Sequence, residues 1–80
     1  MLLYFFDLKA RDAKAYNTLK RRFYYELKTS GISSAPWRTK SVLMVSDELE
    51  GEADAFFRQF EGLIEVYKAR TSALESVVTE

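Results

Sequence analysis

Leu2-Leu3-Tyr4-Phe5-Phe6 is an unbroken apolar run that meets its first acid at Asp7. A run so short and so aromatic predicts a buried β-strand rather than a helix. Without polar alternation before Asp7, it predicts a central strand covered on both faces. The next stretch has a different period. Tyr16, Leu19, Phe23 and Leu27 recur at intervals of three and four, which predicts one buried face of a helix from about Ala13 to Ser30. Asp12 is its candidate N-cap and Gly31 its stop. Ser41-Val42-Leu43-Met44-Val45 reads as a second buried strand. Residues 32–40 before it contain Pro36, which belongs at an edge, a bulge or a strand start. They pair with 41–45 as a hairpin or continue it as one kinked strand.

The second half repeats the alternation of elements. Asp47 and Glu50 have capping-box spacing at the start of a second helix. Leu49, Ala53, Phe56 and Phe60 are its buried face, Phe57 lies at the edge of that face, and Gly62 ends it. Leu63 to Arg70 alternates as a half-buried strand. The tail, 71–80, carries Leu74, Val77 and Val78 and reads either as a loose end or as an extra strand on a partner subunit.

Strand, helix, one or two strands, helix, strand predicts an α+β fold over 1–80: a ferredoxin-like domain, with two helices on one face of an antiparallel sheet. The expected core sets Tyr16, Leu19, Phe23, Leu27, Phe56 and Phe60 against Leu3, Phe5, Val42 and Met44. The uncovered sheet face is then the natural place for a dimer contact. An 80-residue chain that is 48% hydrophobic has more apolar mass than a small monomer hides easily, which predicts a homodimer.

Composition removes several chemistries. With no Cys there is neither a disulfide framework nor a thiol nucleophile. With no His, the usual general base and most transition-metal sites are gone. Apolar runs fall far below the ~20 residues of a membrane span, and no signal peptide is visible, so a cytoplasmic protein with no membrane partner is expected.

The net charge of zero hides an asymmetry. Residues 1–45 carry nine basic and three acidic side chains, residues 46–80 the reverse. The first half is therefore +6 and suits a phosphate backbone. On the first helix Lys14, Arg21 and Lys28 recur every seven residues, with Tyr25 among them and Arg22 nearby. Arg38 and Lys40 flank Trp37 in a second aromatic–basic cluster. Cations neutralise phosphates and rings stack on bases, so these six cations are the candidate nucleic-acid contacts. The plain alternative is solvated outer faces, or halves that neutralise each other across the fold. Asp7 reads either as a solvated strand-end carboxylate or as a metal ligand. Without His or Cys, hydrolysis would rest on carboxylate-held Mg²⁺, and a two-fold axis would supply a second Asp7.

Leu3-Tyr4-Phe5-Phe6-Asp7, Tyr24-Tyr25-Glu26-Leu27-Lys28, Lys40-Ser41-Val42-Leu43-Met44-Val45 and Ile64-Glu65-Val66-Tyr67-Lys68 together resemble the CRISPR-associated small endoribonuclease family. This is the non-integrase subunit of spacer acquisition in antiviral defence, and the resemblance runs in order over nearly the whole chain. It implies a homodimer, a CRISPR integrase as partner, and Asp7 from two subunits at a divalent metal with a catalytic role. Lys9, Arg11 and Lys14 stand where that family has an Arg-rich stretch, and some of its members serve as architectural adaptors rather than nucleases. The competing expectation is a ferredoxin-like homodimeric interaction or regulatory module with no nucleic-acid role.

Overall fold

A computed structural model describes residues 1–33, 37–39 and 41–78. The elements are β1 (Leu2–Leu8), α1 (Ala13–Lys28), β2 (Trp37–Thr39), β3 (Val42–Val45), α2 (Glu50–Arg58) and β4 (Ile64–Arg70), with a 3₁₀ turn over Asp47–Leu49 leading into α2. The strands form one antiparallel sheet in the order β2-β3-β1-β4. This is the ferredoxin-like arrangement, with both helices packed on one sheet face. β2 and β3 pair as a hairpin with a register shift between Trp37 and Thr39, as one of the two readings of this segment predicted. Among the described residues, no helix is long and apolar enough to cross a membrane.

Strand phase decides which residues the helices cover. Leu2, Tyr4 and Phe6 of β1 and Leu43 and Val45 of β3 are buried under α1 and α2. The expected set, Leu3, Phe5, Val42 and Met44, lies on the opposite face, where Leu3 pairs with Met44 and Phe5 with Val42. Side chains alternate across a strand, so a shift of one residue exchanges the faces completely. Asp7 is in phase with Leu3 and Phe5. Turning that set inward would bury a carboxylate, which costs far more than leaving Phe5 40% exposed. The central strand is thus covered by helices on one face only, contrary to the expectation of two covered faces.

Phe23 is the hub of the core. It is wholly buried, and its ring centroid lies 5.1 to 6.1 Å from those of Phe6, Tyr24, Phe56, Phe57 and Phe60. Phe57, expected at the edge of the apolar face, is in the core beside Tyr4 and Phe6. Ile32, just past α1, is buried too. Tyr16, on the first turn of α1, was expected inside and is 40% exposed.

The caps correct two further expectations. Asp12 does cap α1, accepting from the Ala15 amide at 2.8 Å. Gly31 does not end the helix, since Gly62 is the only glycine with positive φ among the described residues. The last carbonyls are satisfied instead by hydroxyls: Thr29 donates to Tyr25 and Glu26, and Ser30 donates to Leu27 at 2.8 Å. Asp47 and Glu50 form no capping box at α2, because the 3₁₀ turn over Asp47–Leu49 intervenes and Leu49, which precedes α2, makes no side-chain cap bond. The Asp47 carboxylate pairs with the Met1 amino group at 2.9 Å. Gly62, at φ 86°, makes the turn into β4, a conformation that L side chains rarely adopt.

Candidate nucleic-acid interface

Counting round α1 at 100° per residue, Leu19, Phe23 and Leu27 centre on the buried side. Lys14, Thr18, Arg21, Tyr25 and Lys28 centre on the diametrically opposite side, and all five are exposed. The stripe is straight and runs about 21 Å from Lys14 to Lys28, with about 10.5 Å between successive cations. Tyr25, 65% exposed, is the aromatic on it. A shallow groove along one flank is lined by Lys14, Asn17, Thr18, Lys20, Arg21 and Tyr24. Asn17, Thr18, Lys20 and Tyr24 were not singled out from the sequence. Extending the i, i+3, i+4 spacing from Lys14 reaches Asn17, Thr18, Arg21 and Tyr24, so that signal was present.

α1 carries five cations and one acid, a net charge of +4. Among the described residues, Lys14, Lys20, Arg21 and Lys28 take part in no ion pair. Glu50 and Asp54 of the second half do not reach them, because they are engaged nearby. Lys68 binds Glu50 at 2.6 Å and Asp54 at 2.8 Å, and Arg70 binds Glu50 at 2.7 Å. The Tyr4 hydroxyl closes this network from beneath, donating to Asp54 Oδ1 at 2.7 Å. Hydrogen bonds from Lys68 hold both the Glu50 and the Asp54 carboxyls below their usual range, and burial pushes the Tyr4 phenol up. Every polar group here is matched, so the network fastens α2 to the edge strand β4. Its neutrality leaves the charge on α1 uncompensated.

The other predicted contacts fare differently. Arg22 leaves the stripe and lays its guanidinium over the Phe60 ring, 4.9 Å from the centroid. Arg38 lies in β2, on the far side of β3 from β1. Lys40 and Pro36 lie outside the described residues.

Asp7 is on the open sheet face, not on the α1 side. It is exposed, accepts a 3.0 Å bond from Lys9, and is paired across the sheet with Glu65. The Lys9 ammonium is held above its usual range by that bond and by the charges of Asp7 and Glu65. Glu65 is a second carboxylate that sequence reasoning missed; antiparallel register, not spacing, brings it opposite Asp7. No group of three or more possible metal ligands converges among the described residues. Mg²⁺ commonly takes only one or two carboxylates, with water and phosphate completing its shell, and the Asp7–Glu65 pair fits that donor set.

Beyond Asp7 the open face is apolar. Leu3, Phe5, Val42 and Met44 line a groove, with Leu74, Glu75 and Ser76 of the tail along its side. Val77 and Val78 are 96% and 81% exposed.

Comparison of the chain with protein-family models, with curated proteins and with solved structures finds no match.

Proposed function

We propose that the chain is a dimeric nucleic-acid-binding protein whose α1 stripe lies against a phosphate backbone. The observation that carries this reading is the row of three cations in no ion pair, Lys14, Arg21 and Lys28, on a straight, exposed face of a helix whose net charge is +4. A duplex carries one negative charge per ~1.7 Å of axis, so a row of cations releases condensed counterions on contact. Tyr25 on the same stripe adds a ring that can pack on sugar or base. The resemblance in the sequence gives the reading its context, a subunit of the CRISPR adaptation type.

The dimer is assigned to the open sheet face. The apolar patch spans β3, β1 and β4, about 14 Å by 13 Å, or about 180 Å² in projection. A stable dimer buries about 800 Å² per partner. The sheet face alone falls short, so the exposed tail valines are assigned to the same interface. Within the dimer Asp7, with Glu65 beside it, is the group that would hold Mg²⁺, which supplies charge neutralisation at a phosphate. That role belongs to the nuclease form of this reading; without it the protein is an adaptor. The competing reading, an interaction module with no nucleic-acid role, draws on the apolar open face alone.

A gel-shift titration of duplex DNA over a range of salt tests the reading. Binding should weaken steeply with salt, and Arg21→Ala should reduce the log–log slope by about one unit. Binding indifferent to salt, or none at low salt, removes the phosphate contacts. With Mg²⁺ or Mn²⁺ present, Asp7→Asn should abolish cleavage and leave binding intact. Cleavage that persists in Asp7→Asn, or is lacking in the native protein, leaves the adaptor.

A further inference from the structure

The α1 stripe and the apolar sheet face point in opposite directions. The stripe is centred directly opposite Leu19, Phe23 and Leu27, which face the sheet, while Leu3, Phe5, Val42 and Met44 lie on the far side of that sheet. Resting on the dimer and the phosphate contact argued above, we propose that each dimer binds two nucleic-acid duplexes, one on each outer helical layer, and so bridges them.

Two copies joined through their open faces stack as helix, sheet, sheet, helix. With sheets about 10 Å apart and helices about 10–12 Å across, the two stripes lie about 40 Å apart and face away from each other. A single duplex touching both would have to make a U-turn around that body. Its persistence length of about 50 nm excludes a turn so tight. The β4 edge and the start of α2 offer no shorter path. Arg70 and Lys68 at the β4 edge are neutralised by Glu50 and Asp54, and Asp47, Glu48 and Glu52 put negative charge around the start of α2.

A flexible single strand could wrap, but the stripe suits it poorly. Single strands are held by several stacked rings, and Tyr25 is the one aromatic on this stripe. A rigid row of cations at about 10.5 Å steps instead approaches the ~12 Å width of the B-form major groove, so that successive cations meet phosphates on its two sides.

The test is capture of one duplex by another through the protein. A biotinylated duplex of about 12 base pairs, about 40 Å long, is immobilised and loaded with the full chain. A fluorescent duplex of the same length is then added, as DNA in one arm and RNA in the other. Sedimentation gives the stoichiometry in solution. Two duplexes per dimer are expected, with the fluorescent duplex retained on the beads. Phe5→Glu, on the open face and outside the core, should yield a monomer that still binds one duplex while capture falls to background. Should that variant fail to fold, deletion of 71–80 replaces it.

Saturation at one duplex per dimer overturns the bridging and leaves the binding and the dimer standing. Capture that survives in a monomeric variant also overturns it, since two sites would then lie on one chain. A native protein that sediments as a monomer, or that binds neither duplex, overturns the underlying reading together with the bridging.

Discussion

Tyr4→Phe removes one hydroxyl from beneath α2 and leaves the ring in place. That ring is 1% exposed and stacked on Phe57, with centroids 5.1 Å apart and planes 18° from parallel, so apolar packing should be unchanged. What is lost is the 2.7 Å bond to Asp54. A hydrogen bond to a charged partner contributes about 1.5–3 kcal/mol. Asp54 keeps Lys68 on both carboxylate oxygens and is only half-buried, so the loss should fall at or just below the bottom of that range, about 1–1.5 kcal/mol. For a domain of this size that lowers Tm by about 4–12 °C. Urea unfolding followed by circular dichroism should show a lower midpoint with an unchanged slope. A double-mutant cycle with Asp54→Ala should return a coupling of about 1 kcal/mol. The pH dependence gives an independent sign. The Asp54 carboxyl is held down first by Lys68 and further by Tyr4, against burial. Its contribution is therefore present above about pH 4 and lost as pH falls through the depressed folded-state value. Wild type should lose more stability than Tyr4→Phe on acidification, and the gap between them should narrow. A loss below about 0.3 kcal/mol, well under the hydrogen-bond range, would refute the reasoning. So would zero coupling, or a gap that widens in acid.

Arg22→Ala should lower stability by about 0.5–1 kcal/mol through loss of the stack on Phe60, yet shift the salt slope of binding less than Arg21→Ala does; equal slopes from the two variants would put Arg22 back among the phosphate contacts. Deleting residues 71–80 should convert a species of twice the 9.3 kDa chain mass to the chain mass in light scattering at micromolar concentration. An unchanged mass would remove the tail from the interface.

The helices were legible because their period is long and, for α1, because its N-cap is local. Leu19, Phe23 and Leu27 mark one face of α1, the cations mark the other, and Asp12 marks its start without reference to any distant residue. The basic stripe was legible for the same reason. The contact of Arg22 with Phe60 was not legible, because the two lie 38 positions apart in sequence and meet only when α2 docks. Sheet phase was misread although one clue was present. In a strand apolar on both faces, the single charged residue decides the outer face, and Asp7 shares its phase with Leu3 and Phe5.

Taken alone, the amino-acid order determined the alternation of strands and helices, the buried faces of the helices and the concentration of positive charge in the first half, because each follows from contacts within a few residues. Tertiary structure decided what those elements face. Antiparallel register placed Glu65 opposite Asp7 and left Phe5 on an open surface. Docking of α2 against β4 matched Glu50 and Asp54 to Lys68 and Arg70. Two bases of the second half are thereby taken by two of its own acids, and α1 keeps the charge it has; which acid reaches which base depends on distances of a few ångströms that only the packed sheet and helices set.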